Sequence, residues 1–363
     1  MLIIFLILVL SVVLTSRKMP SNNYNDSFMS PQVMLPWKGL FICWIFISHL
    51  MGEWQFSINS FDNAFNIVNG WFGQIVVVLF LFLSGYGVMY SIENKTKYLK
   101  TFFIKRVLIT WLNFAIVLLL YLGLQFALGN TYGLNHIVMA FIGLESIGNS
   151  NWYIFCILYL YIITYASFSI TDYFFINKNI KRWFGIVCVF IFICIYIFYF
   201  KYVKKGITVW YDSIFCYLFG MIFYYVSKKI FDFVTSKKYR YIVLVIIIPI
   251  FYVINTIYKN TVNYNYLVYF TINAVLVISW IILISMKWKI NNKWLTWCGN
   301  NLFLIYITHR IPFIILNVIG IKNLYLYFLI AAIATIVLVS IISPCIKYVD
   351  SLFIAKIHQK ERR

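Results

Sequence analysis

The chain has 363 residues, 63% of them hydrophobic and only 11% charged, with a mean hydropathy of +0.87. That composition excludes a soluble globular domain and describes a polytopic helical membrane protein. The net charge of +20 suggests a nucleic-acid partner, but the cations fall in a topological pattern that argues against one.

Apolar runs of membrane-spanning length predict an all-α polytopic membrane protein with about eleven transmembrane helices. They lie near residues 2–15, 37–51, 71–91, 107–128, 151–170, 183–200, 208–227, 241–258, 267–286, 300–319 and 324–346. The first run is short and has no basic residue ahead of its apolar core. Arg17 and Lys18 follow it instead, so residues 1–18 read as an uncleaved anchor with its N-terminus outside. Residues 19–36, polar and turn-rich from Ser21 to Pro31, read as a flexible cytoplasmic linker. Residues 37–346 form one membrane domain and residues 347–363 a basic cytoplasmic tail. If Arg17, Lys18 and Lys38 are cytoplasmic and sides then alternate, 24 of the 30 cations fall on the cytoplasmic side. This bias places the C-terminus in the cytoplasm. Most of the positive charge is therefore a topological signal.

Within the second span Lys38 and His49 stand eleven residues apart. In a helix eleven steps return to within roughly 20° of the starting direction and advance roughly 16 Å. The cation thus lies at the membrane surface and the imidazole at depth, on one face. Ionisable groups inside a membrane are costly and are functional candidates by default. Glu53, one turn beyond His49, can reach the imidazole and fix its tautomer. The alternative is a carboxylate belonging to the wet outer loop.

Further along, Lys105 and Arg106 precede the fourth span, where they serve either as positive-inside anchors or as phosphate contacts. The segment from Gly133 to Tyr153 reads as a re-entrant or interfacial element on the outer side, with His136 and Glu145 at an opening. Trp152 and Tyr153 suit an interfacial aromatic belt. Ser84-Gly85-Tyr86-Gly87 interrupts the third span with glycines that let helices approach closely. His309 and Arg310 lie in the tenth span, roughly 14 Å from its cytoplasmic start. Arg310 there needs a carboxylate, and Glu53, Asp212 and Glu145 are the candidates. The seven cysteines sit singly in apolar surroundings, with no zinc-type spacing, so packing is their expected role and no metal is expected.

These pieces occur in an order that resembles the acyltransferase-3 family of integral membrane acyltransferases, over about residues 34 to 346. The resemblance rests on five motifs. A basic residue, ten residues and a histidine run from Lys38 to His49, with Lys where the family usually has Arg. A Phe-rich run from Val78 ends in Ser84-Gly85-Tyr86. A basic motif runs from Phe102 through Lys105 and Arg106 to Leu108, and an aromatic one from Asn151 through Trp152 and Tyr153 to Tyr159. The last runs from Asn301 through Tyr306 to His309. Two departures stand out: the family's second arginine of the basic motif falls near Ile109 or Thr110, and the N-terminal span is additional to the usual ten.

The resemblance implies a ten-helix core and an acyl-coenzyme A donor, most often acetyl-CoA, arriving from the cytoplasm. Its phosphates would meet Lys38, Lys105 and Arg106. His49 would act as general base or transient acyl carrier, with Glu53, His309 and Arg310 orienting it or the acceptor. Trp152, Glu145 and Arg310 are the candidates for binding the acceptor, an extracytoplasmic glycan or lipid-linked saccharide. The setting implied is a bacterial plasma membrane, with membrane lipids and no nucleic acid as partners. The competing reading is a transporter or flippase of lipid-linked saccharide, whose pathway such midplane polar residues would line.

Overall fold

The computed structural model describes residues 1–20, 23–261 and 265–361. Ser21 and Asn22 of the linker, and Arg362 and Arg363 of the tail, lie outside the described residues. The protein is an all-α polytopic membrane protein. Among the described residues ten helical stretches are long and apolar enough to cross a membrane. They are Pro31–Glu53, Ile75–Asn94, Tyr98–Ala127, Trp152–Phe174, Lys178–Val203, Thr208–Thr235, Lys238–Lys259, Tyr266–Lys287, Leu302–Ile319 and Leu324–Ile354. Helix α1 (Leu2–Thr15) has 14 residues, about 21 Å of rise against a hydrocarbon core of about 30 Å. It is apolar but shorter than the ten spans.

The chain packs as two compact units. The first comprises Met1–Gly52, Phe56–Met89 and Ile207–Leu302. It holds α1, α2 (Pro31–Glu53) up to Gly52, α3 (Ser60–Phe72) and the first part of α4 (Ile75–Asn94). From the second half of the chain it takes α10 (Phe215–Thr235), α11 (Lys238–Thr261), α12 (Tyr266–Lys287) and α13 (Lys293–Asn300). Two helix crossings in this unit are built on glycine pairs. A Cβ on Gly85 of α4 would sit 2.0 Å from the Tyr217 carbonyl oxygen, and one on Gly220 of α10 would sit 1.9 Å from that of Phe82. Gly39 of α2 and Gly299 of α13 repeat the arrangement, with a Cβ 1.9 Å from the Leu295 oxygen and 2.1 Å from the Leu35 oxygen. In lipid, where apolar side chains gain little by leaving the tails, such backbone contact is a main source of helix association.

The same unit contains a two-stranded antiparallel ladder, β1 (Ser16–Lys18) with β2 (Trp288–Ile290), in the register Arg17 to Lys289. The described part of the following segment, expected to be flexible, is tied down. Met19 N–H donates to the Lys287 carbonyl at 2.9 Å and Asn25 N–H to that of Met286 at 2.8 Å. Lys287, buried at the end of α12, donates its Nζ to the carbonyls of Pro20 (2.7 Å) and Asn23 (2.8 Å) and lies 4.5 Å from the Tyr24 ring. A buried ammonium has to be hydrogen-bonded, and these carbonyls are the groups that satisfy it. Pro20 and Asn23 of the linker are thus held in place by the ammonium they satisfy.

The second unit comprises Glu53–Gln55, Tyr90–Gly206 and Phe303–Arg363. Its elements are α5 (Tyr98–Phe102), a π-helical turn at Phe103–Leu108, α6 (Ile109–Ala127), α7 (Leu134–Ile142), α8 (Trp152–Phe174) and α9 (Lys178–Phe198). The last third of the chain adds α14 (Leu302–Thr308), α15 (Arg310–Ile319) and α16 (Leu324–Glu361). Arg182 makes a bidentate pair with Glu93, Nε to Oε1 and Nη2 to Oε2, both at 3.0 Å.

Candidate functional site

Helix α2 is unbroken from Pro31 to Glu53, so the predicted register of Lys38 and His49 holds: about 16 Å apart along the axis and roughly 20° apart around it. Trp37, Leu40, Phe41, Trp44 and Ile45 are buried around them, while Lys38 and His49 are half-buried. Rotation of the helix is fixed at both ends of this segment. At Gly39, next to Lys38, the α13 backbone leaves no room for a side chain. At Ser48, next to His49, the hydroxyl accepts from Asn69 Nδ2 at 2.9 Å, and Asn69 Oδ1 accepts from Trp44 Nε1 at 3.0 Å. Asn69 belongs to α3, a helix the sequence reading missed. Its 13 residues fall short of a span and mix polar with apolar side chains.

The tenth predicted span runs from Leu302 to Ile319, and its regular helical hydrogen bonding is interrupted at His309, whose backbone stays helical at φ -60° and ψ -24°. His309 is a turn between α14 and α15, and Pro312 explains the break. Lacking an N–H, it cannot bond the Thr308 carbonyl, and its ring crowds that carbonyl. The Thr308 hydroxyl donates to the Leu304 oxygen at 2.7 Å. His309 itself is 1% exposed, with Nδ1 3.0 Å from the Ile305 carbonyl. A carbonyl only accepts, so Nδ1 carries the proton and Nε2 the lone pair, which assigns the tautomer of a base.

Arg310 meets Glu53, Nη1 to Oε1 at 3.0 Å. Of the three carboxylates that sequence offered, Glu53 is its partner. Asn317 Nδ2 donates to the Glu53 carbonyl at 3.3 Å, and Tyr327 donates to Asn317 Oδ1 at 3.0 Å. Trp54 packs edge-on against Tyr327 with ring centroids 5.3 Å apart. The ion pair is thus set in a hydrogen-bonded frame drawn from α15 and α16.

Lys105 and Arg106 lie in the π-helical turn. Arg106 donates Nε to the Tyr98 hydroxyl at 3.0 Å and lies 5.8 Å from the Tyr161 ring. π-Turns recur at functional sites because the inserted residue re-aims side chains. Trp152 starts α8 and packs edge-on against Tyr153, with centroids 5.9 Å apart. Tyr153 in turn reaches Tyr306 at 5.3 Å, and Tyr306 reaches His309 at 6.0 Å. This aromatic chain connects two of the predicted motifs within one unit. Glu145 stands exposed on the loop after α7, while His136 Nε2 lies 3.1 Å from the Ser146 carbonyl.

Sequence reasoning missed Tyr121, on α6, whose hydroxyl is buried without a hydrogen-bond partner. Among the described residues no group of three or more His, Cys, Asp or Glu side chains could hold a metal ion.

The fold is that of a multi-pass membrane protein, with one histidine, His49, on the continuous α2 of the first unit and another, His309, within the Leu302–Ile319 span of the second. The chain belongs to the acyltransferase-3 family: the family model, described as an acyltransferase domain, matches residues 37–344. That match begins at the predicted start of the membrane domain and supports membrane acyltransferase activity. No curated protein and no solved structure matches the chain.

Proposed function

We propose that the protein is a membrane O-acyltransferase that moves an acetyl group from cytoplasmic acetyl-CoA to a hydroxyl of an extracytoplasmic glycan. The observation that carries the reading is the continuous α2, which keeps a cation and an imidazole on one face of a helix inside a family-matched acyltransferase domain. A weakly acidic hydroxyl becomes nucleophilic only as its proton is removed, and imidazole is the side chain suited to that near neutral pH. His49 takes this proton or carries the acyl group as an acyl-imidazole. His309, with its tautomer set by Ile305, and Glu53 and Arg310, paired to each other, orient the reacting groups. Coenzyme A phosphates are the ligands proposed for Lys38 and for Lys105 and Arg106. Trp152 and Glu145 are proposed acceptor contacts, since a ring face and a carboxylate both suit a sugar. The bacterial plasma membrane, with the N-terminus outside and the C-terminus in the cytoplasm, is the proposed setting.

The test is to incubate purified protein in detergent or nanodiscs with acetyl-labelled acetyl-CoA and follow thiol release and label transfer. Protein-dependent turnover supports the reading. Its absence, with transport of lipid-linked saccharide instead, overturns it. The Lys at the position where the family usually has Arg gives a second expectation. Lys38→Arg should retain turnover within about threefold if the residue supplies only charge to phosphate. Michaelis constants for acetyl-CoA measure this, and a loss of binding would mean that the compact ammonium itself is required.

A further inference from the structure

The first unit holds a cavity of about 270 Å³ whose lining is entirely apolar. Trp37, Phe41 and Trp44 of α2 line one side, with Phe72 at the end of α3, Tyr252 of α11 and Trp280 of α12. The polar atoms of these rings are used elsewhere. Trp44 Nε1 donates to Asn69 Oδ1 at 3.0 Å, and the Tyr252 hydroxyl donates to the Trp71 carbonyl at 2.7 Å. Pro249, inside α11, has no N–H to offer the Val245 carbonyl. Trp280 Nε1 donates to that carbonyl instead, at 3.2 Å. What meets the space is therefore hydrocarbon and ring. Its volume is well above that of the roughly 150 Å³ apolar cavity that stays dry and takes benzene. Trp37 to Trp44 is seven steps of helix, so the slot follows α2 for about 10 Å.

A cation stands beyond one end of this slot. Tyr252, Thr256 and Lys259 share one face of α11, at i, i+4 and i+7, which puts Lys259 about 10 Å past Tyr252. Thr256 and Lys259 line a second recess, of about 130 Å³, with Gly70, Trp71 and Tyr269. Recess and cavity adjoin at the consecutive residues Trp71 and Phe72. Tyr252 holds both, by its hydrogen bond to Trp71 and by stacking on Phe72 with centroids 5.4 Å apart. Lys259 Nζ lies 5.0 Å from the Tyr266 ring centroid and 4.8 Å from that of Tyr269, so two rings hold the ammonium in place. Among the described residues it makes no ion pair. In the orientation proposed above it stands on the outer side, where the positive-inside pattern does not account for it.

The geometry points to a lipid site: one fatty chain of an anionic phospholipid fills the cavity, and its phosphate meets Lys259. The interval along Thr256 is the place of the glycerol esters. The chain is supplied by the bilayer that α11 borders, where Ile246, Ile250 and Ile254 are each more than half exposed. An empty cavity forfeits contacts for every side chain around it, and hydrocarbon restores them. A lysine meets phosphate as a point charge. This chain is not the acyl group in transfer. Trp37 and Trp44 point roughly 100–140° away from Lys38 and His49 around α2. Lipid and reaction therefore use different faces of that helix, and the assignment does not rest on the acyltransferase reading.

The test is native mass spectrometry of the full chain released from nanodiscs made of equal parts phosphatidylglycerol and phosphatidylcholine. Wild-type protein should retain phosphatidylglycerol over phosphatidylcholine by about fivefold, the preference that one lysine at a lipid surface supports. Lys259→Gln should still retain lipid but without the preference. Lys322→Gln removes another exposed lysine and should leave the preference intact. Leu276 also lines the cavity, and Leu276→Trp fills it, so lipid retention should fall to background. If that variant fails to give a monodisperse size-exclusion profile, Lys259→Gln decides alone, since its side chain is exposed. Equal retention of the two lipids by wild-type protein overturns the assignment, as does an unchanged preference in Lys259→Gln. A polyprenyl phosphate that co-purifies from the cell membrane and resists displacement by phosphatidylglycerol overturns it too. Acetyl-CoA turnover plays no part in these readouts, so their failure leaves the acyltransferase reading standing.

Discussion

Replacing His49 with alanine should abolish acetyl transfer while the protein still inserts and purifies normally. General base catalysis contributes about 10²–10⁴-fold, and loss of a covalent carrier costs the whole reaction. Either role therefore predicts a loss well beyond assay noise. Folding should survive, because His49 is half-buried and the rotation of α2 is set by its neighbours. Ser48 is fixed through Asn69 and Trp44, and Gly39 is fixed by the α13 backbone. The two roles separate in a rapid-quench experiment with labelled acetyl-CoA and no acceptor. A carrier accumulates protein-bound label that hydroxylamine removes, whereas a base accumulates none. Normal turnover by His49→Ala, at wild-type expression and with a wild-type size-exclusion profile, would remove His49 from the mechanism altogether.

The membrane class and the spans were legible because the bilayer imposes a length and an apolarity on each helix that a single sequence displays directly. What escaped has no such local signature. Helix α3 has 13 residues and α13 has 8, both too short and too polar to register as spans. Strands β1 and β2 pair Arg17 with Lys289, and three residues at such separation carry no periodicity to read. The linker looked flexible from its Asn and Ser content, yet its carbonyls satisfy Lys287, a requirement set by a residue on α12. The π-turn around Lys105 and Arg106 leaves composition unchanged, so only the backbone reveals it.

The candidate site divides in the same way. Lys38 and His49 could be placed on one face because they share a helix, and helix geometry is fixed. Three carboxylates were equivalent partners for Arg310 on sequence, and only the packing of α15 beside Glu53 selects one. Tyr121 is one of 29 tyrosines and is singled out solely by being buried without a partner. Pro312 was visible in the sequence. Its consequence, a turn at His309 rather than a kink elsewhere, follows from the proline's effect on the carbonyl four residues before it.

The glycine crossings give a prediction in which the sign changes within two residues of one helix. Gly85→Ala places a methyl 2.0 Å from the Tyr217 oxygen, a distance no real contact sustains. The obstacle is backbone, which cannot rotate aside as a side chain would. Overpacking against side chains costs about 1–3 kcal/mol, and forcing two backbones apart in lipid forfeits the close contact along the whole crossing. Gly85→Ala should therefore aggregate or melt far below wild type in a detergent thermal-shift assay, and Gly220→Ala should do the same. Gly87→Ala, on the same helix, meets nothing within 4 Å. There the loss of backbone freedom in the unfolded chain should leave stability unchanged or raise it by about 0.5–1 kcal/mol. Identical melting of Gly85→Ala and Gly87→Ala would mean that α4 and α10 do not cross at the glycines. Gly39→Ala carries the test to the helix that bears Lys38 and His49, since its methyl would lie 1.9 Å from the Leu295 oxygen. A Gly39→Ala protein that remains folded but loses acetyl transfer would show that the close packing of α2 on α13 positions the reacting groups as well as holding the unit together.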